Sequence, residues 1–190
     1  MCGRYDFTAE QSDEIREIQE RLNVKLCGKE ARAGEVFPTH QAAILIGEAQ
    51  RVEPVLSGWG FPKFDQKGVI INARSETAFE KRTFRDSLLN RRCIIPSTGF
   101  YEWDSGKRKF LFRLNQTNAL YMAGLYMHYR EEMRFVILTT EANESMRETH
   151  TRMPLVIPKN EIETWILDYH AVSEILHRIP PMLVREAVPV

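Results

Sequence analysis

Residues 93–140, CIIPSTGFYEWDSGKRKFLFRLNQTNALYMAGLYMHYREEMRFVILTT, decide the fold, because runs of β-forming residues alternate there with turn residues. The turn residues stand at Asp104-Ser105-Gly106 and at Asn115–Asn118. They separate predicted strands at Cys93–Pro96, Phe100–Trp103, Lys109–Leu114, Leu120–Tyr126 and Phe135–Thr140. Strands so closely spaced pair with their neighbours, so we expect a curled, mostly antiparallel β-sheet with a barrel-like core.

Helices and a hairpin are expected around this centre. Thr8 and Gln11 resemble a capping box, and apolar residues recur after them at helical spacing. The expected helices cover Ala9–Asn23, Thr77–Asn90, Asn143–Glu148, Asn160–Leu167 and Val172–Ile179. The expected extended segments are a hairpin, from Ala42–Ile46 through a turn near Gly47-Glu48 to a run from Val52 towards Trp59, and a strand at Val69–Ile71. The sequence therefore predicts a single α+β domain over residues 1–190, with peripheral helices.

The composition limits the class of protein. At 190 residues, 43% of them hydrophobic, the chain is long enough to bury a hydrophobic core. It has no apolar run that would span a bilayer and no signal region, so we expect a cytoplasmic protein, associated with the nucleoid in a bacterium. Cys2, Cys27 and Cys93 are widely spaced and odd in number, which argues against a disulfide framework and a structural zinc site. We expect neither a metal nor a cofactor.

Charge is balanced overall but unevenly distributed. Lys+Arg and Asp+Glu each number 26, which does not indicate a nucleic-acid partner. From Arg74 to Arg113, however, ten basic residues stand against five acidic ones, whereas residues 1–50 hold six basic and nine acidic. This distribution is compatible with a basic face that contacts phosphates, and also with an ordinary solvated surface.

Met1-Cys2-Gly3-Arg4 places a cysteine where removal of the initiator methionine exposes it. In unperturbed peptides the α-amine titrates near ~8 and the thiol near ~8.5, so both groups are partly reactive near neutral pH. Toward an aldehyde, the amine forms an imine and the thiolate then closes a thiazolidine ring on the same carbon. This chemistry requires an exposed residue 2. The alternative is a buried, inert cysteine.

Asn72-Ala73-Arg74-Ser75-Glu76-Thr77 follows an apolar strand, a common place for ligand contacts. The Asn72 amide can donate and accept hydrogen bonds, and the Arg74 guanidinium suits phosphate. The alternative interpretation is a helix N-cap at Ser75 with Glu76 in the first turn, and the two interpretations are compatible.

Two further stretches hold candidate proton-transfer groups. Glu102 lies in the aromatic stretch Gly99–Trp103, where burial would suit its carboxyl group to proton transfer; alternatively, it simply faces solvent. His150 lies in Thr149-His150-Thr151-Arg152-Met153-Pro154, which would place a proton shuttle beside a phosphate ligand. A structural histidine is the alternative there.

Taken together, MCGRY, NARSET, GFYEW and HTRMP resemble the SOS-response-associated peptidase (SRAP) family of abasic-site processing proteins. The resemblance extends from Cys2 to at least Ile157, and Pro38-Thr39 and Trp59-Gly60 also match family-like positions. It differs at Gly34–Pro38, where many relatives have an asparagine, and in a short C-terminus without the usual asparagine-rich segment.

The resemblance implies a β-rich α+β fold and a groove for single-stranded DNA that contains abasic sites. It implies that Cys2 is the covalent nucleophile, that Asn72 positions the Cys2 backbone or the opened sugar, and that Glu102 and His150 transfer protons. The implied DNA contacts are phosphates at Arg4, Arg74 and Arg152, and unstacked bases at Trp59 and Pro38. We expect a monomer with crosslinking or lyase-type activity.

Two other functions fit these residues. The first is a cysteine peptidase, acting autocatalytically on whatever precedes Cys2, because a cysteine whose own amine serves as base can hydrolyse peptides. The second is a noncatalytic single-strand-binding module that relies on arginine contacts and aromatic stacking. Replacing Cys2 by alanine distinguishes them, because a binding module keeps its DNA affinity and forms no covalent product with or without the thiol.

Overall fold

Fourteen strands and four helices make up the described part of the chain, residues 2–27 and 33–188 of a computed structural model. The strands are β1 (Arg4–Phe7), β2 (Gly34–Val36), β3 (Gln41–Glu48), β4 (Arg51–Trp59), β5 (Phe61–Pro62), β6 (Val69–Ile70), β7 (Asn72–Arg74), β8 (Arg92–Ser97), β9 (Gly99–Trp103), β10 (Lys109–Leu114), β11 (Leu120–Tyr129), β12 (Glu132–Glu141), β13 (Arg152–Pro154) and β14 (Leu183–Ala187). The helices are α1 (Asp13–Lys25), α2 (Arg82–Asn90), α3 (Ile162–Leu167) and α4 (Val172–Leu176). Short 3₁₀ turns cover Ala9–Gln11, Ser75–Thr77 and Lys159–Glu161.

A closed ring of strands forms the centre of the fold. It runs β11–β8–β3–β4–β12 and closes because β12 also pairs with β11. β7 and β13 add to β12, and the pairings of β12 with β4 and β7 are parallel while the others in this sheet are antiparallel. A second sheet, in the order β14–β10–β9–β1–β2, is antiparallel throughout. The α+β fold with a mostly antiparallel, barrel-like core and peripheral helices is confirmed.

Strand alternation directs one face of the second sheet into the core. Phe100 of β9 and Phe112 of β10 are opposite each other in register, and their rings stack with centroids 5.4 Å apart. Tyr101 and Trp103 project from the other face of β9, as alternation requires. Glu102 therefore shares the inward face with Phe100.

A buried arginine in β8 forms hydrogen bonds that hold two helices against the barrel. The Arg92 guanidinium donates hydrogen bonds to the carbonyl oxygens of Leu88 and Leu89 in α2 and of Trp165 and Ile166 in α3, at 2.7–3.0 Å. These carbonyls belong to helix C-terminal turns, which lack intrahelical donors. Burial lowers the pKa of the guanidinium, but four carbonyl acceptors satisfy it.

Three local predictions were wrong. The first helix begins at Asp13 and not at Ala9, because Ser12 is its N-cap and accepts from the Ile15 N–H at 3.4 Å. The Thr8 hydroxyl instead donates to Asp6 at 2.8 Å. The β3–β4 hairpin turns at Ala49 and Gln50, whose φ values are 48° and 63°, two residues beyond the predicted turn.

The third wrong prediction is a helix at Asn143–Glu148. Consecutive turns occupy this segment instead. The Asn143 side chain accepts from both the N–H and the hydroxyl of Ser145, and it donates to the carbonyl oxygens of Pro180 and Pro181. Local and long-range side-chain bonds thus replace the regular helical pattern.

No helix in the two described ranges is both long and apolar enough to cross a membrane.

Candidate active site

Cys2 is fixed in place by a residue far away in the chain. It lies just before β1, and the Asn72 side-chain amide, at the start of β7, donates to its carbonyl oxygen at 3.0 Å. β7 is itself held against β12, where Asn72 is opposite Ile137. The other amide atom, Asn72 Oδ1, is buried and accepts no hydrogen bond from the residues that the structure describes. The backbone contact implied for Asn72 is therefore present.

The Cys2 thiol is buried, whereas the proposed chemistry requires an exposed residue. Its Sγ donates a long, weak hydrogen bond to the Arg4 carbonyl oxygen at 3.7 Å. Burial, and to a smaller extent the negative charge of Glu102, raises the pKa of the thiol to about 12. The thiol is thus protonated near neutral pH in this form of the chain, in which Met1 precedes it.

Glu102 is close enough to Cys2 for the two groups to interact electrostatically. It is only 6% exposed, so the alternative in which this glutamate faces solvent does not hold. Its position in β9 is opposite Phe110 of β10, and the preceding residue, Tyr101, is opposite Arg4 of β1. The sheet therefore sets the carboxyl group beside the N-terminal segment.

His150 ends the turns that follow β12. Its Nδ1 accepts a hydrogen bond from the Arg152 backbone N–H at 2.9 Å. Nδ1 must carry a lone pair to accept this bond, so the neutral ring holds its proton on Nε2. The main chain of β13 thereby orients the imidazole and selects its tautomer.

The three arginines implied as phosphate ligands have different surroundings. Arg74 is exposed and has no carboxylate partner among the described residues. Arg4 forms an ion pair with Glu35 at 3.3 Å, and its guanidinium lies 4.3 Å from the Phe37 ring centroid and 5.0 Å from that of Trp103.

Arg152 has its hydrogen-bonding capacity largely occupied. Its guanidinium donates to both carboxylate oxygens of Glu76, at 2.6 and 2.8 Å, and to the Thr139 carbonyl oxygen at 2.6 Å. The same contact holds the pKa of Glu76 below its usual range. This arginine therefore joins β13 to β12 and to the turn after β7, and the geometry favours a positioning role over direct phosphate binding.

Trp59 was expected to form a wall against unstacked bases, and this prediction was wrong. Its side chain is fully buried, its Nε1–H donates to the Ile71 carbonyl oxygen at 3.0 Å, and its ring stacks on Phe135 with an interplanar angle of 6°. No ring face remains for a base. The following Gly60 has a φ of 116°, and a Cβ there would lie 2.6 Å from Val69, so this motif serves packing.

Pro38 lies in a turn beside the site. It is half-buried, and the next residue, Thr39, has a φ of 72° and donates its backbone N–H to the Trp59 carbonyl oxygen at 2.8 Å. The His40 N–H closes the turn on the Phe37 carbonyl oxygen at 3.0 Å. Pro38 thus remains accessible on one side.

Phe64 is an exposed aromatic residue that lies in none of the four motifs. This residue is fully exposed in the loop between β5 and β6, and Lys63 and Lys67 flank it. A large apolar ring between cations in a polar loop was the available signal, because such a residue gains nothing from folding. The loop leads into Asn72 and Arg74.

Within the described ranges, no three histidine, cysteine, aspartate or glutamate side chains are grouped so that they could hold a metal ion.

Comparison with known proteins decides the family. A family model described as SOS response associated peptidase (SRAP) matches residues 1–188, which include all four motifs. The chain belongs to the SRAP family. Among its relatives, the abasic site processing protein YoqW of Bacillus subtilis (strain 168) is 30% identical over 183 residues, which cover 87% of this chain and 80% of YoqW.

A further relative and a solved structure are also similar to this chain. The abasic site processing protein YoaM of the same organism is 31% identical over 181 residues, covering 87% of this chain and 79% of YoaM. A crystal structure of a protein from Bacteroides thetaiotaomicron superposes with a TM-score of 0.81 at 21% identity, covering 99% of this chain and 92% of that one. At that identity the likeness establishes the fold alone.

Proposed function

We propose that this protein captures abasic sites in single-stranded DNA by forming a covalent bond through Cys2 once Met1 has been removed. The observation that carries the proposal is the hydrogen bond from Asn72 to the Cys2 carbonyl oxygen, next to the buried Glu102. It fixes the backbone of residue 2, so that the amine and thiol of this residue would act on one ligand from a defined position. The names of the relatives YoqW and YoaM support abasic sites as the substrate.

The proposed reaction balances without a redox step. The Cys2 amine adds to the aldehyde carbon of the ring-opened sugar, and the resulting carbinolamine loses its hydroxyl group as water to give an imine. The Cys2 sulfur then bonds to the imine carbon, and the nitrogen takes up a proton. The product is a five-membered thiazolidine, and one water molecule is released in total.

Glu102 fits the proton transfers of this sequence. As an acid it would protonate the departing hydroxyl group of the carbinolamine. As a base it would take the thiol proton when sulfur adds to the imine, which is needed because the pKa of the buried thiol is raised to about 12. The imine therefore forms first and the ring closes second.

His150 would promote opening of the sugar ring. Because its Nδ1 accepts from the Arg152 N–H, the neutral imidazole carries its proton on Nε2. Donation from Nε2 to a sugar oxygen would favour the open-chain aldehyde, which is the reactive form.

The DNA strand would be held by exposed cations and rings around the site. Arg74 offers its guanidinium to a phosphate, and Phe64, between Lys63 and Lys67, offers a ring face to an unstacked base. Arg4 and Pro38 would line the same groove. In this proposal Phe64 replaces the buried Trp59 as the stacking residue.

A variant series tests the chemistry. Uracil-containing single strands treated to remove uracil should give a band that resists denaturation with processed wild-type protein. Cys2→Ser keeps the amine, so it should show a band only after borohydride reduction, and Glu102→Gln and His150→Ala should form the stable band more slowly. A wild-type protein without a band, or a Cys2→Ser protein with an equally stable one, contradicts the proposal.

The two alternatives are less well supported. General peptide hydrolysis needs a thiolate, and burial of Cys2 opposes its formation. A noncatalytic binding module would bind abasic DNA and yield no band in this series. Self-removal of a preceding segment remains compatible with the same site.

A further inference from the structure

Arg185 of β14 lies over the sheet that carries Glu102. Its guanidinium is 4.8 Å from the Phe110 ring centroid, and Phe110 is opposite Glu102 in the β9–β10 register. Arg185 is itself opposite Phe112, so it shares the inward face of the sheet with Glu102. Its neighbour Glu186 projects from the opposite face.

The same guanidinium reaches the turn that carries His150. Arg185 Nη1 donates to the Thr149 hydroxyl at 3.1 Å, and Nη2 lies 3.4 Å from a Glu148 carboxylate oxygen. Thr149 precedes His150 directly. One side chain thus connects the sheet of Glu102 with the turn of His150.

The rest of that turn is also held by the C-terminal segment. Asn143 donates to the carbonyl oxygens of Pro180 and Pro181 at 2.9 and 3.0 Å, and the Leu183 N–H donates to the Ser145 hydroxyl at 3.0 Å. The segment has no regular helix to give it rigidity. Its shape therefore depends on these contacts, of which Arg185 makes the one nearest to His150.

We propose that Arg185 is a positioning residue that sets the distance between His150 and Glu102 by anchoring Thr149 over Phe110. The proposal rests on the proposed function of this site in abasic-site capture. Arg185 acts through His150, so its replacement slows adduct formation only when the imidazole of His150 is present. Direct phosphate binding by Arg185 is the competing outcome.

A double-mutant cycle separates these outcomes. Arg185→Met keeps an apolar stem on Phe110 and removes the bonds to the turn. It should slow adduct formation by roughly 10- to 100-fold, because misplacement by about 1 Å costs rates of that order. In the His150→Ala background the same change should have almost no further effect, since the two residues act as a unit.

The second measurement is the noncovalent affinity for DNA. Affinity for single strands that carry a tetrahydrofuran analogue, which has no aldehyde, should stay within about twofold in Arg185→Met. The matched control is Arg113→Met, because Arg113 of β10 is paired with Glu186 at 3.0 Å on the other face of the same sheet. It should leave both adduct rate and affinity unchanged. Weaker analogue binding, or equal slowing with and without His150, overturns the proposal in favour of phosphate contact.

A spectroscopic readout keeps the test independent of the reaction. Long-range proton–nitrogen NMR spectra report which imidazole nitrogen of His150 is protonated. Wild type and Arg113→Met should show the Nε2–H tautomer alone. Arg185→Met should show exchange between tautomers, because a turn released from Arg185 lets the imidazole leave the Arg152 N–H that selects the tautomer. If wild type forms no adduct, the proposed function fails, and the NMR result still decides the role of Arg185. A tautomer unchanged in Arg185→Met overturns that role.

Discussion

The side-chain amide of Asn72 donates to the carbonyl oxygen of Cys2 at 3.0 Å, across a sequence separation of 70 residues. Asn72 in turn is fixed by the pairing of β7 with β12. The barrel therefore determines where Cys2 lies. Cys2 thus has a defined position, because Asn72 of β7 donates a hydrogen bond to its backbone.

Asn72→Ala should slow covalent capture more than it weakens DNA binding. Without the amide, residue 2 loses its anchor, and we expect the adduct rate to fall by about 10- to 100-fold. Quench-flow sampling on denaturing gels gives the rate, and anisotropy with the tetrahydrofuran analogue gives the affinity. Asn90→Ala is the matched control, since the Asn90 amide donates to the exposed Asp86 on the surface of α2. Equal slowing in both variants would rule out anchoring.

The thiols should differ in alkylation when Met1 is retained. Cys27 is exposed, whereas Cys2 and Cys93 are buried with a raised pKa. With a pKa of about 12, only about one Cys2 thiol in ten thousand is ionised at pH 8. Iodoacetamide should therefore label Cys27 first.

The pH dependence of alkylation shows whether the pKa of the Cys2 thiol is raised or lowered. Between pH 7 and 9 the alkylation rate of Cys2 should keep rising with pH, because its thiolate fraction increases up to pH about 12. Peptide mass spectrometry assigns each site, and Cys27→Ser provides the background. A Cys2 rate that levels off below pH 9 would refute the raised pKa.

Arg74 and Arg152 should affect DNA binding differently. Arg74→Met should reduce the slope of log affinity against log salt by about one, because an exposed guanidinium that contacts a phosphate releases a counterion. Arg152→Met should leave that slope nearly unchanged and lower Tm, because this guanidinium is bound to Glu76 and Thr139. Salt titrations of analogue binding measure the slopes. A larger slope change for Arg152→Met would reassign the phosphate contact.

Phe64→Ala should weaken binding of single strands without affecting stability. Loss of one base–aromatic stacking contact reduces the free energy of DNA binding by about 1–3 kcal/mol. A fully exposed ring contributes little to the core, so Tm should stay the same. Tyr169→Ala, at another exposed aromatic residue, is the control. Full affinity in the Phe64 variant would remove this loop from the DNA contact surface.

The strands were predictable because their signals are local. Lys109–Leu114 agrees at both ends with β10, and the other central strands were found with ends that differ by at most three residues. Alternation and turn residues act over a few positions, so a single sequence contains them. The turns at 143–150 were missed because Asn143 bonds to Pro180 and Pro181, far away in the chain.

The sequence motifs pointed to candidate site residues, but not to the contacts that surround them. The motifs include Asn72, Glu102 and His150. Nothing near Arg152 in the sequence indicates that its guanidinium would bind the carboxylate of Glu76, which is 76 residues away. Trp59 is the last residue of β4, and the inward face of this strand becomes known only when β4 pairs with β12. Burial and pairing are tertiary properties, which local patterns do not encode.

Intact mass spectrometry tests covalent capture by Cys2 most directly. Processed protein incubated with an abasic single strand and then denatured should show the sum of the two masses minus one water, with no reductant added. Protein with an uncleaved extension before Cys2 has an amide in place of the amine and should show only the separate masses. A mass sum that appears in both preparations, or in neither, would contradict capture by the amine and thiol of Cys2.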